Sequence, residues 1–221
     1  MAKPYPKEDH LTGNFAPLRM ESNVDDLIIE GNVPEEILGS YYRNGPDPKF
    51  SPRGGKSHWF GGDGMIHAFH INNGKVSYVN RWMRTVKWLK EHEAGEALFP
   101  SGMDPTDTDP SVQGLKTDGL ANTSIVSHAG KILALEEAHA PFEFDPLTLD
   151  SIGSHTFDNK LEGPVTAHPK VDPITGELLF FGYMADGFFS DTIRYTASSK
   201  DGNISKSELI IFSLSSFLLN S

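Results

Sequence analysis

Turn chemistry that recurs between short apolar runs most narrows what this chain can fold into. Residues 65–69 and 78–83 flank Asn73-Gly74, a dipeptide that accepts the positive φ values of a two-residue hairpin loop. Asp145-Pro146-Leu147-Thr148, Asp172-Pro173-Ile174-Thr175-Gly176 and Ser199-Lys200-Asp201-Gly202 place similar chemistry between β-branched, aromatic and apolar segments. They recur at intervals of roughly 27 residues, too short for a whole four-stranded propeller blade, so they fit hairpins inside successive blades. Helical periodicity is scarce. It predicts two short pieces, one over 33–38 opened by Pro34 with Glu35 and Glu36 in its first turn, the other over 90–97. The fold class expected is all-β.

Composition removes several functions. A net charge of -11, with the Lys and Arg residues scattered, leaves no basic face for a nucleic acid. The absence of cysteine excludes disulfides and zinc-thiolate sites and points to a cytoplasmic location. Residues 1–13 lack the apolar core of a secretory signal and read as a disordered lead. Gly61-Gly62-Asp63-Gly64 is followed by no helix pattern and no lysine placed for a phosphate, so it reads as a strand-entry turn with Asp63 bonding nearby backbone.

Among the histidines, His168 stands out because Pro169 follows it, biasing it toward extended backbone at a strand end or loop. His67 and His70 lie three apart in a strand pattern, which sends them to opposite faces. His10, His58, His92, His128, His139 and His155 sit among polar or turn residues and read as surface groups.

Several motifs in order carry a family resemblance: Pro17-Leu18-Arg19, Ile29-Glu30-Gly31-Asn32-Val33-Pro34, Gly39-Ser40-Tyr41-Tyr42-Arg43-Asn44-Gly45-Pro46, Phe60-Gly61-Gly62-Asp63-Gly64-Met65-Ile66-His67 and Thr166-Ala167-His168-Pro169. Over residues 14–211 the chain resembles the carotenoid cleavage oxygenases, including their lignostilbene dioxygenase branch. The resemblance implies about the N-terminal half of a seven-bladed β-propeller. It also implies an axial Fe(II) held by four histidines, which with O2 cleaves an alkene bond of a carotenoid, apocarotenoid or stilbene. His168 matches the first of those ligands. Glu137 matches a glutamate that accepts the N–H of a ligand histidine and fixes its tautomer. Phe60 aligns with an aromatic beside the substrate. An apolar substrate of this kind makes peripheral membrane contact part of the expectation.

Two departures qualify the resemblance. Residues 212–221 contain no histidine, do not resemble the family's continuation, and read as a truncation scar, so the 221-residue chain is expected to be an inactive fragment. Its rival readings are a catalytically dead binding or regulatory fragment and a lignostilbene-type dioxygenase. Where the lignostilbene enzymes bind and ionise a phenol through a tyrosine and a lysine, this chain has Gly102 and Glu136. A carboxylate would repel a phenolate, which favours an apolar polyene as substrate.

Overall fold

The computed structural model describes residues 3–101, 105–187 and 190–211. Three four-stranded antiparallel sheets follow one another along the chain. The first contains β1 (Ser22–Val24), β2 (Gly39–Pro46), β3 (Gly64–Asn72) and β4 (Lys75–Trp82) in the order β1-β4-β3-β2. A helix, α1 (Val86–Ala94), precedes the second, formed by β5 (Ser124–His128), β6 (Lys131–Leu135), β7 (Phe142–Phe144) and β8 (Ser151–Ser154) in sequence order. The third runs β9 (Lys170–Val171), β10 (Leu178–Tyr183), β11 (Thr192–Ser198), β12 (Ile204–Ile211). These are successive blades of an all-β propeller part, as the turn pattern and the resemblance imply.

Each turn signature closes a hairpin inside a blade. Asn73 and Gly74 take φ of 49° and 73° between β3 and β4. The Asp145 and Asp172 carboxylates each accept two backbone N–H groups, from Leu147 and Thr148 and from Ile174 and Thr175, at 2.8 Å. Those bonds, made to the ionised form, hold both carboxyls below the usual carboxylate range.

The middle sheet is buried on both faces, which explains the unbroken apolar run Leu133-Ala134-Leu135 in β6. Ala134, Phe142 and Phe144 pack against Ile66, Ala68 and Val79 of the first sheet, and Leu135 joins Leu178 and Phe180 of the third, with Val165 from the segment before β9. The outward face of the first sheet is covered at one end by α1, through Trp88 against Met65 and Trp82.

The helices depart from expectation. Residues 33–38 make only a turn, with the Ile37 N–H on the Pro34 carbonyl at 3.1 Å, because six residues are too few to offset helix nucleation before Gly39 opens β2. The second helix begins earlier than 90–97: Thr85 caps it by accepting from the Trp88 N–H, and Gly95 ends it in the left-handed conformation at φ 75°. The first residues, expected to trail as a disordered lead, lie against the first sheet. The Tyr5 hydroxyl donates to the Pro48 and Lys49 carbonyls at 2.8 Å, and Leu11 is buried. Residues 212–221 lie outside the described residues. Among the described residues no helix is long and apolar enough to cross a membrane.

Candidate active site

The leading edges of the three blades are stitched together at one end by polar contacts. Asn44, near the end of β2, donates to the carbonyls of Ala121 (2.9 Å) and Ser124 (3.2 Å) at the entrance to β5. The Ser124 hydroxyl in turn donates to the carbonyl of Ala167, immediately before His168. Buried Asn122 donates to the carbonyls of Phe60 (2.7 Å) and Gly62 (2.8 Å). Phe60, Asn122, Ser124 and His168 therefore belong to one connected rim.

Glu137 reaches this rim from the segment after β6. Its Oε1 lies 3.5 Å from His168 Nε2, and the imidazole is 67% exposed. Tyr183, at the end of β10, lies close to Glu137; burial, then the Glu137 charge, pushes the Tyr183 phenol above its ordinary value. His168 and Glu137, singled out separately by their motifs, thus come together from two blades. Phe60 is 53% exposed and stacks loosely on His58, with centroids 5.9 Å apart.

Sequence reasoning missed the most tightly built feature of the rim. His139, read as a surface group, donates from Nδ1 to Glu136 Oε1 at 2.5 Å. That bond, opposed by burial, raises the imidazole above its usual value, with Asp118 adding to the effect. Gly119, at φ 92°, makes room for the pair: a Cβ there would stand 2.7 Å from Glu136 Oε1 and 2.9 Å from His139 Nδ1. The argument that a carboxylate at 136 would repel a phenolate assumed a bare charge, whereas Glu136 is engaged by an imidazole. Gly102 lies outside the described residues.

The other histidines divide. His67 and His70 take opposite faces of β3: His67 Nδ1 meets the Tyr78 hydroxyl at 2.8 Å on the outward face, and His70 lies beside Tyr42 on the other. His128 is buried rather than superficial, and burial lowers its basicity. In the strand-entry turn, Asp63 accepts from the Lys49 N–H at 3.3 Å, as expected. It also meets Lys87 Nζ at 2.8 Å, and the same ammonium reaches Glu91 at 2.7 Å. This buried cluster fastens α1 to β3. A cavity of about 330 Å³ opens on the outward face of the first sheet, lined by Arg43, His67, His10 and Trp59, and touches neither Glu137 nor His168.

His168 and Glu137 fit one corner of a metal site: an imidazole ligand and the carboxylate that orients it. They do not make a whole one, since among the described residues no three His, Cys, Asp or Glu side chains converge.

Residues 15–217 match the family model described as RPE65, retinal pigment epithelial membrane protein, so the chain belongs to this carotenoid oxygenase family. It is 40% identical over 206 residues to isoeugenol monooxygenase of Pseudomonas nitroreducens, covering 92% of this chain and 42% of the relative. It is also 40% identical to carotenoid 9,10(9',10')-cleavage dioxygenase 1 of Arabidopsis thaliana, covering 87% and 38%. The crystal structure of Pseudomonas brassicacearum lignostilbene dioxygenase superposes with a TM-score of 0.90 at 36% identity over 96% of this chain and 44% of that one. Cobalt-substituted apocarotenoid oxygenase of Synechocystis gives 0.72 at 25% identity over 89% and 43%, a neighbour consistent with a metal cofactor in the family. The chain spans less than half the length of these relatives.

Proposed function

We propose that this chain supplies one wall of the active site of an Fe(II)-dependent dioxygenase that cleaves an alkene bond of a carotenoid, apocarotenoid or stilbene-like substrate. The balanced change is one C=C and one O2 becoming two C=O groups. The observation that carries the reading is the approach of His168 Nε2 to Glu137 Oε1 at 3.5 Å across two blades. His168 would hold the iron, through the nitrogen turned away from Glu137. Glu137, 3.5 Å away, would set the ring's tautomer and orientation. The iron, when bound, supplies the redox chemistry that brings O2 to the alkene. Phe60 offers an exposed ring on the same rim for a conjugated hydrocarbon to lie against.

The test is a chimera in which residues 14–211 replace the matching part of the Pseudomonas brassicacearum lignostilbene dioxygenase. It should retain iron after desalting and convert a stilbene or an apocarotenoid into two carbonyl products. His168→Ala in the chimera should lower both iron content and turnover. A folded, iron-loaded chimera that cleaves neither substrate, or one whose iron content ignores His168→Ala, would overturn the reading.

A further inference from the structure

We infer that Lys49 is a nucleophilic amine that captures planar, conjugated aldehydes as an imine, with His92 passing the protons. The site lies on the α1 side of the first sheet and shares no residue with the rim. It stands or falls apart from the proposed reaction.

Three observations carry it. First, Lys49 is drawn into the fold without a carboxylate. Lys87 and Lys131, the other lysines packed inward, are held by Asp63 and Glu91 and by Glu143. Among the described residues the hydrogen-bond partner of Lys49 Nζ is an imidazole, His92 Nδ1, at 2.7 Å. Second, aromatic faces surround the amine. Nζ stands 3.9 Å from the Trp88 ring centroid, 5.3 Å from that of Trp82 and 5.7 Å from that of Phe50. The Trp88 ring also carries the Arg84 guanidinium, at 3.8 Å. Rings attract an ammonium, but the loss of water and a second cation beside it act the other way. The nearby carboxylates are committed elsewhere, Glu21 to Arg84 at 2.7 Å and Asp63 to Lys87 at 2.8 Å. Burial first, and then the Arg84 charge, lower Lys49 below the ordinary lysine value against the pull of Glu21 and Asp63. Third, there is room. Lys49 and Phe50 line a cavity of about 420 Å³ with Tyr5, Ala94 and Ala97, and His92 is exposed. The cavity's other charges are Arg19, which lies over the Tyr5 ring, and the Lys3–Glu96 pair.

A neutral amine attacks the aldehyde carbon, forming the C–N bond as the carbonyl π pair moves to oxygen. His92 relays the two protons that the nitrogen sheds to that oxygen, which leaves as water. Aldehyde and amine thus become imine and water, with nothing oxidised or reduced. A conjugated aldehyde gives a conjugated imine, and its flat face suits the rings around Nζ.

The experiment treats the 221-residue chain with benzaldehyde and sodium cyanoborohydride, which traps the imine as a secondary amine, and follows each lysine by peptide mass spectrometry. The reference is Lys75, exposed and paired with Asp26. At pH 7 Lys49 should be modified about 100-fold faster than Lys75, the lower end of what a positioned acid–base group contributes. Its rate should reach a plateau at lower pH than that of Lys75. Arg84→Gln should move that rise to higher pH, because loss of the guanidinium, which also frees Glu21, favours the ammonium. His92→Gln, which keeps an acceptor for Nζ but cannot carry a proton, should bring the Lys49 rate down toward that of Lys75. Lys49→Arg should leave no preferred site. Cyclohexanecarbaldehyde, similar in size but not flat, should react at Lys49 more slowly than benzaldehyde once each is normalised to Lys75. Equal rates at Lys49 and Lys75, a Lys49 rate indifferent to His92→Gln, or no preference for the flat aldehyde would each overturn the inference. Because the readout needs neither iron nor turnover, it is separable from the chimera's cleavage assay.

Discussion

At the scale of single residues, the rim shows how a carboxylate's meaning depends on its partner. Read alone, Glu136 is a charge that a phenolate would avoid; in the fold its carboxylate accepts the Nδ1–H of His139 at 2.5 Å. The pair also makes a pH prediction. Its hydrogen bond raises the folded-state value of His139, so the stability it adds is complete below the unfolded histidine value of about 6.5 and is lost as pH rises through the higher folded-state value. His67, His128 and His155 act oppositely: burial depresses them, and they lower stability as pH falls through the unfolded value. The His139 contribution is therefore read as a difference. Melting temperatures of the chain and of His139→Gln, compared from pH 5.5 to 8.5, should converge at the alkaline end, with the parent more stable at the acid end. A gap independent of pH would show that the pair is not linked to folding. None of this was legible in the sequence, because the contact depends on the bend after β6 that brings residues 136 and 139 face to face, and no periodicity encodes a bend.

Elements were more legible than side-chain pairs, and unequally so. Hairpins announce themselves through residues whose chemistry is local: Asn73-Gly74 supplies its own φ values, and Asp145 and Asp172 bind their own turns. The helix was misplaced because its limits are set by Thr85 and Gly95, while Lys87 and Glu91, one turn apart along it, are polar residues that turn inward, Lys87 bridging Glu91 and Asp63. An inward salt cluster looks like a solvated face in sequence. The contact between strand and entering segment was also hidden. Gly182 of β10 lies so close to Pro164 that a Cβ would stand 1.9 Å from its carbonyl oxygen, and the adjacent Phe181 carbonyl accepts the Thr166 N–H at 2.7 Å. That bond anchors the segment leading to His168. Gly182→Ala should force the backbones apart and destabilise the chain by about 3 kcal/mol, the upper part of the range for overpacking. Chemical denaturation would measure it, and a loss below about 1 kcal/mol would show that the segment yields freely.

At the scale of the molecule, three blades bury two interfaces and, among the described residues, leave two faces without a neighbouring sheet. The middle sheet is enclosed by the clusters around Phe142 and Phe180, whereas the first and third sheets each keep one outward side. Exposed apolar groups stand on the outer sheets, among them Tyr41 at 61%, Phe181 at 41% and Ile211 at 67%. Apolar area of this kind is covered by association when nothing else covers it. The same arithmetic governs iron. On the proposed reading His168 would contribute one bond, with Glu137 beside it, and loss of even an orienting partner commonly costs about 10- to 100-fold in metal affinity. The 221-residue chain, expressed alone, should sediment as concentration-dependent oligomers and hold well under one iron per chain after desalting. Tyr41→Ser with Phe181→Ser should shift the distribution toward monomer without altering the iron content, since neither residue belongs to the rim. A monodisperse monomer carrying stoichiometric iron would refute both halves of the expectation. Oligomers with stoichiometric iron would instead place ligands from a second copy at the rim, so the two measurements must be made on the same preparation.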